Sequence, residues 1–511
     1  MANPLFAKKP LSLCLEEMKG ENRLRRILGP VTLSSLGIGA IIGTGIFVLT
    51  GIAAHDKAGP ALTLSFCVAG VACVFAAFCY AEFASMVPIA GSAYTYAYAT
   101  LGELFAWIIG WDLILEYAVG SATVAHGWSH YFQDFIGIFG LHLPQALTIA
   151  PFDYDVGRGH FFATGSVVDL PAILIAAIVT AVLVKGIRES ATFNATMVGI
   201  KLAIVLLVIA VGSFYVKTAN WHPFAPFGFG GLSFFGKTVF GKTAPDGTAL
   251  GMLAGAATIF FAYIGFDSVS THAEEARHPQ RDVPIGIVAS LLISTVLYIA
   301  VSAVLTGMVP SGKIDLNAPV SNAFAQVGLR WAQFLISLGA ICGITSVLLV
   351  LMLSQPRVLL AMARDGLVPT KFFSAVHERF RTPWKATMVT GCFVAVMAAL
   401  LPLRVLAELV NIGTLLAFVI VCAAVLIMRY TNPKAERPFR VPFVPLIPIL
   451  GILSCLLLMF SLPVENWWRL IGWLLVGFLI YFGYGRYHSV MARLRAAGKA
   501  ESAGTPAGAG K

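Results

Sequence analysis

The chain alternates long apolar runs with short polar segments. The runs fall at about 31–52, 61–87, 102–132, 169–185, 194–215, 250–272, 284–308, 331–363, 385–402, 405–428, 443–462 and 467–487. Each approaches the ~20 residues a helix needs to cross a bilayer core at 1.5 Å per residue. The pattern therefore predicts an all-α integral membrane protein with 12 spanning helices. The long third and eighth runs predict helices that tilt or project past the membrane. An even number of spans places both termini on one side.

Composition agrees. Of the 511 residues 58% are hydrophobic and 12% charged, against about 25% charged in soluble domains. Met1–Pro30 is polar and basic and has no apolar core of a signal peptide, so no cleaved leader is expected. With the N-terminus inside, 25 of the 35 Lys and Arg residues fall in internal segments and nine in external ones. That bias predicts two cytoplasmic termini. The net charge of +10 is then the usual asymmetry of a membrane protein facing acidic lipid, and no nucleic-acid partner is implied. One basic residue, Lys201, belongs to neither group, because it lies inside the fifth run.

The expected organisation is an N-terminal tail (1–30), one membrane domain (31–487) and a small, glycine-rich, disordered cytoplasmic tail (488–511). The longest loops, about 133–168 and 216–249, are external. Seven of the eight cysteines lie in apolar runs and Cys14 lies in the N-terminal tail, which argues against a disulfide framework.

Two runs are interrupted near their centres. Residues 37–51 read GIGAIIGTGIFVLTG, with glycine at 37, 39, 43, 45 and 51. Glycine in a helix interior costs about 1 kcal/mol relative to alanine. It can serve close helix packing, as in GAIIG (39–43), or an unwound centre whose free N–H groups receive an anion. Either use suits this run taken alone. The sixth run carries Gly265 and Asp267 in GAATIFFAYIGFDSVSTHAEEARHPQRDVP. Paired interruptions at corresponding places of two halves point to a transporter built from inverted repeats. Free N–H groups on the first helix suit a carboxylate and free carbonyls on the sixth suit an ammonium, so the implied ligand is an α-amino acid.

The stretches GIGAIIGTGIFVLTG (37–51), CYAEFASMVPIAGSAYTYAY (79–98), FFAYIGFDSVSTHAEEARHPQRDVP (260–284) and LSQPRVLLAMARDGLVP (353–369) resemble the amino acid–polyamine–organocation (APC) superfamily. The resemblance is closest to its bacterial cationic-amino-acid-transporter branch. It implies a leucine-transporter-like fold: two inverted five-helix repeats (about 31–215 and 250–428) and two peripheral helices (443–487). It implies a carboxylate site at Ile41, Gly43, Thr44 and Gly45, and an amino-group site at the carbonyls of Phe261, Ala262 and Ile264, with Ile41 a further contributor. In this branch a lysine matching Lys201 replaces a sodium ion between the first and fifth helices, which implies proton coupling. An acid matching Glu116 approaches the substrate chamber.

Other polar residues in the runs carry weaker signals. Asp112 and Glu116 share a helical face, and intramembrane acids are functional candidates because burying them is costly. His126 and His130 stand one turn apart, but interfacial histidines explain them as well as a metal does. Glu274, Glu275, Arg277, Arg281 and Asp282 form a mixed-charge cluster suited to a solvated loop or to gating ion pairs. The pocket is expected between the third, sixth, eighth and tenth spans, with GAICGITSVLL (339–349), including Ile344, small or apolar. That lining favours neutral side chains, since a cationic one would find only Glu116.

The expected function is H⁺-coupled symport of neutral L-amino acids across the cell membrane, with exchange or cationic uptake as alternatives. No cofactor or metal is expected. A small accessory membrane subunit is compatible with the chain. An intramembrane enzyme lacks an assembled nucleophile, and a non-transporting sensor lacks an output domain.

Overall fold

The computed structural model describes residues 4–9, 28–87, 92–155, 160–186, 190–234, 237–245, 247–378, 380 and 382–494. Cys14, most of the N-terminal tail and residues 495–511 of the expected disordered tail (488–511) lie outside the described residues. The first part of that tail, 488–494, is instead helical and docks on the chain, with Val490 N donating to Asp365 O at 2.9 Å.

Among these residues, eight helical runs are long and apolar enough to cross a membrane, and four shorter apolar helices accompany them. The helices used below are α1 (Pro30–Ile41), α2 (Leu62–Met86), α3 (Glu103–Gly137), α4 (Leu170–Lys185), α5 (Ser190–Ser213), α6 (Met252–Ile259), α7 (Pro279–Met308), α8 (Arg330–Arg364), α9 (Trp384–Leu400), α10 (Leu403–Thr431), α11 (Leu446–Phe460) and α12 (Val464–Ile480). In lipid every main-chain polar group must be satisfied within its own segment, which is why apolar runs of this length become helices. Local chemistry sets several ends. Pro30 and Pro279 occupy the first turns of α1 and α7, where a missing N–H costs nothing. Asp169 caps α4 by accepting from Ala172 N at 3.1 Å.

α7 packs along α2 and α1, α8 packs against α3 and α5, and α9 lies on α4. Small residues permit these approaches. A Cβ on Gly37 would sit 2.4 Å from Ser290 Oγ, and one on Gly286 would sit 2.9 Å from Leu33 Cβ.

The two long loops carry strands, where only loop was expected. Phe152–Asp155 pairs with His160–Ala163, Leu232–Phe234 with Lys237–Phe240, and Lys242–Thr243 with Ala249–Leu250, all antiparallel. The second loop grips the helices beneath it. Ser233 Oγ donates to Phe460 O and Leu462 O, and Pro226 lies where a side chain on Gly59 would go.

The opposite end is tied by ion pairs. Glu82 receives Arg429 Nε at 3.0 Å and Nη2 at 2.6 Å, joining α2 to α10. Arg437 caps α10 by donating to Met428 O and Asn432 O. The N-terminal residues dock here too, with Lys9 Nζ 2.7 Å from Asp365 Oδ1 and both groups buried. No disulfide forms among the described cysteines, all of which are free.

A candidate site between two interrupted helices

α1 ends at Ile41, and Ile42 is extended (φ −75°, ψ 104°). Helix resumes at once: Gly43 O accepts from Ile46 N at 3.2 Å and Phe47 N at 3.1 Å. The N–H groups of Gly43, Thr44 and Gly45 precede those first bonds, as at any helix N-terminus.

The second interruption follows α6. Phe260–Tyr263 tightens into a 3₁₀ turn, Ile264 is extended, and Gly265 adopts φ +111°, a left-handed conformation that favours glycine. A short helix, Ser268–Thr271, then continues the path.

The two breaks face one another. A Cβ on Gly45 would lie 2.2 Å from Ala262 Cα, and one on Gly265 would lie 3.0 Å from Ala40 O. Packing and unwinding are thus both at work: Gly43 stands beside the unwound residue, and Gly45 lets the two main chains meet. A small cavity lies at the crossing, lined by Thr44, Gly45, Phe261, Ile264, Val347 and Leu351 among others. Its walls are apolar apart from main-chain groups and Thr44. Among the described residues Thr44 Oγ1 has no hydrogen-bond partner, although the side chain is 1% exposed.

Two buried side chains hold the carbonyls the breaks release. Lys201 Nζ, reaching from α5, donates to Gly39 O at 2.7 Å and Ile42 O at 2.9 Å. Tyr298 Oη, from α7, lies 2.8 Å from Ile41 O and 2.9 Å from Ala262 O and so bridges both breaks. Nothing in the residues around Tyr298 marked it for this role. The available signal was general: a buried tyrosine hydroxyl must find an acceptor.

The expected amino-group carbonyls are partly engaged. Phe261 O accepts from Ile264 N at 3.2 Å within its own turn, and Ala262 O and Ile41 O receive Tyr298. Ile264 lines the cavity directly.

Several expected positions move. The tenth span contributes nothing to the lining of this cavity. From the eighth span, Val347 and Leu351 line it, while Ile344 is buried elsewhere in the packing. Glu116 also stands outside the lining. It sits on a π-helical turn of α3 (Leu115–Val119), fully buried, beside Asp267 and Thr414. Tyr117 Oη donates to Asp267 Oδ2. The two interrupted segments are therefore flanked by a buried acid pair that only the tertiary fold assembles. Asp112, also buried, has no hydrogen-bond partner among the described residues.

The first histidine of the expected pair has a structural use, while the buried Nδ1 of His130 has no hydrogen-bond partner among the described residues. His126 places Nδ1 2.8 Å from Asp169 Oδ2 and Nε2 2.7 Å from Leu401 O, which occupies both ring nitrogens and ties α3 to the ends of α4 and α9. In the charged cluster, Glu275 pairs with Arg357 of α8 at 2.9 Å, and Arg277 N donates to Leu28 O just before α1. Burial alone would raise the Glu275 carboxyl, but the Arg357 guanidinium holds it below the ordinary carboxylate range. The Glu274 side chain lies outside the described residues.

Comparison with known proteins places this arrangement. Residues 28–481 match the family described as amino acid permease. The chain is 47% identical over 487 residues to the methylthioribose transporter of Bacillus subtilis, covering 95% of this chain and 99% of that protein. It is 47% identical over 490 residues to the branched-chain amino acid permease BcaP of the same organism, covering 96% and 99%. It is 42% identical over 420 residues to cationic amino acid transporter 2, vacuolar, of Arabidopsis thaliana, covering 82% of this chain and 62% of that one. With interrupted helices, a cavity between them and a match along nearly its whole length, the chain belongs to the amino acid permease family, within the APC superfamily.

Proposed function

We propose that the protein is a secondary active transporter for L-amino acids with neutral side chains, driven by protons across the cell membrane. The observation that carries this reading is the crossing of the two breaks. Main-chain N–H groups at Gly43–Gly45 and carbonyls at Ile41 and Ala262 flank one small cavity whose side-chain walls are apolar. A carboxylate meets the N–H groups, an ammonium meets the carbonyls, and an uncharged side chain meets Phe261, Val347 and Leu351. Among the described residues no carboxylate lines this cavity to pair a cationic side chain. The branched-chain permease among the relatives supports the same preference.

Lys201 supports the coupling. It is buried, and its two acceptors are main-chain oxygens of the first helix. The strength of that hold depends on its proton, and alternating access changes which side supplies or takes it. In this reading twelve helices span the membrane, in two inverted repeats of five plus two, with both termini cytoplasmic. The β-hairpin end then faces outward.

Uptake of labelled amino acids into proteoliposomes, with an inward proton gradient and without sodium, tests the reading. L-Isoleucine or L-leucine should accumulate and L-arginine should not. Methylthioribose belongs in the same assay, because a relative named for it is equally similar. That molecule has neither a carboxylate nor an amine, so accumulation of it alone would overturn the assignment of the breaks.

A further inference from the structure

Along α11, Leu446, Ile449, Leu453 and Leu457 are between 36% and 57% exposed, while Pro448, Gly451, Cys455 and Leu458 are buried. The exposed positions recur every three or four residues and form one apolar stripe. On a spanning helix such a stripe lies against lipid. One turn on, the stripe reaches Phe460, at the hairpin end.

There the second long loop takes over. The Phe234 ring, from the strand Leu232–Phe234, stands 5.2 Å from the Phe460 ring, centroid to centroid. Its neighbour Ser233 points the other way, is buried, and donates to Phe460 O at 3.1 Å and Leu462 O at 3.2 Å. The hairpin is therefore fastened to the end of the lipid-facing stripe and continues it.

The strand register shows what this hairpin presents. Phe234 pairs with Lys237 and Leu232 with Phe240, so these four share the face opposite Ser233. Phe234 and Phe240 are more than half exposed, as is Val239, the extra residue of a bulge between the pairs. Lys237 is exposed and makes no ion pair among the described residues. The loop around it is basic: residues 216–249 hold Lys217, Lys237 and Lys242 against one acid, Asp246. Single apolar side chains at a surface are ordinary. Two phenylalanines and a lysine on one face, joined to a lipid stripe, suit the boundary where acyl chains meet headgroups.

The same loop holds the ends of both interrupted helices. Lys57 Nζ donates to Thr248 Oγ1 at 2.9 Å, and Gly251 N donates to Lys57 O at 2.9 Å. At the start of α6, Met252 N and Leu253 N donate to Gly228 O and Gly230 O, which lead into the hairpin. How the hairpin sits thus bears directly on the helices that form the central site.

We propose that the face of Phe234, Lys237 and Phe240 binds an acidic phospholipid, which seats this loop over the two interrupted helices. The phosphate lies toward Lys237, and the acyl chains run over Phe234 onto the stripe of α11. The assignment rests on α11 spanning the membrane, and on neither the substrate nor the coupling proposed above.

Two measurements on the full-length protein test it. The first places the face. A nitroxide on Phe240→Cys, in phosphatidylcholine–phosphatidylglycerol nanodiscs and measured against the same chain with Phe240, should meet oxygen more readily than a water-soluble nickel chelate. Leu453→Cys, in mid-stripe, should do the same. Water exposure at 240 with lipid exposure at 453 overturns the hairpin site and leaves the spanning helix standing; water exposure at both overturns both. A label at 240 shielded from oxygen and nickel alike, in a particle holding two chains, shows that a second copy covers the face and refutes the lipid. The second measurement is retention of phosphatidylglycerol against phosphatidylcholine of the same acyl chains, by native mass spectrometry. The wild type should prefer the acidic lipid, Lys237→Gln should weaken its binding about five-fold, and Lys237→Arg should restore it. Equal retention of the two lipids, unchanged binding in Lys237→Gln, or equal loss in both variants refutes the site.

Discussion

Lys201 holds the first interrupted helix by two bonds, 2.7 Å to Gly39 O and 2.9 Å to Ile42 O. Lys201→Met preserves side-chain length and removes both donors. A hydrogen bond from a charged donor is worth about 1.5–3 kcal/mol, so the gross loss is roughly 3–6 kcal/mol. Against it stands the several kcal/mol spent in desolvating an ammonium, which methionine avoids. Global stability should therefore change little. The consequence for coupling is larger. A neutral amine makes bonds about half as strong as a charged one, so losing the proton weakens the pair by roughly 1.5–3 kcal/mol. That shifts the balance between held and released first helix by roughly ten- to 150-fold. The assay is uptake of labelled L-isoleucine into sodium-free proteoliposomes, with and without an inward proton gradient. Lys201→Met should lose gradient-driven accumulation while retaining its elution profile and thermal midpoint. A mutant that still concentrates substrate on a proton gradient would refute the coupling role, and the buried acid Glu116 would be next to test.

Gly45→Ala places a Cβ 2.2 Å from Ala262 Cα; overpacking of this kind costs about 1–3 kcal/mol, so it should lower the thermal midpoint and abolish transport, and full activity would show that the breaks need not meet. Tyr298→Phe removes the hydroxyl between Ile41 O and Ala262 O, and should lower stability by about 1–3 kcal/mol in a denaturation series; an unchanged midpoint would mean that hydroxyl contributes nothing net. Amino-acid amides and N-acylated analogues should compete poorly with labelled L-isoleucine, and equal competition by an amide would contradict the carboxylate role of Gly43–Gly45. Glu275, held low by Arg357, contributes stability that is complete above the unfolded carboxylate value of about 4.3 and is lost only as pH falls through its lower native value. Hydrogen exchange of residues 273–282, corrected for intrinsic rates, should stay flat from about pH 5 to pH 8, and an opening centred near pH 6 would rule this pair out as a pH-insensitive tie.

The membrane helices were legible because lipid imposes one solution on long apolar runs. Their ends were less so. α7 begins at Pro279, not at 284, because HPQRDVP supplies a proline and a capping acid that start a helix in polar sequence. The strands were missed because FDYD and HFFA are too short for a period-2 pattern to stand out from a loop. At the site, the glycines announced a break but not its partner. That Gly45 meets Ala262, or that Glu116 meets Asp267, depends on segments about 150 residues or more apart in the chain. Lys201 was conspicuous because a charge inside an apolar run is costly. Tyr298, doing comparable work, lay hidden as one aromatic residue in STVLYIAV.

The two resident donors also explain how a ligand amine could bind and be released. Tyr298 carries one hydroxyl proton and lies within 2.9 Å of two carbonyls, one on each interrupted helix. One proton cannot fully serve both, so at any moment one acceptor is underserved. An ammonium brings three donors and satisfies both at once, drawing the halves together around the crossing of Gly45 and Ala262. Lys201 acts within the same turn, at Gly39 O and Ile42 O. The amine and the lysine proton therefore bias the same short stretch, residues 39–42. Two ligands that favour the same arrangement of one segment must favour each other's binding, by the same factor in both directions. Substrate affinity should then rise with protonation of Lys201. In Lys201→Met the dissociation constant for L-isoleucine should become independent of pH, and a pH dependence unchanged from the wild type would break the link between the two sites.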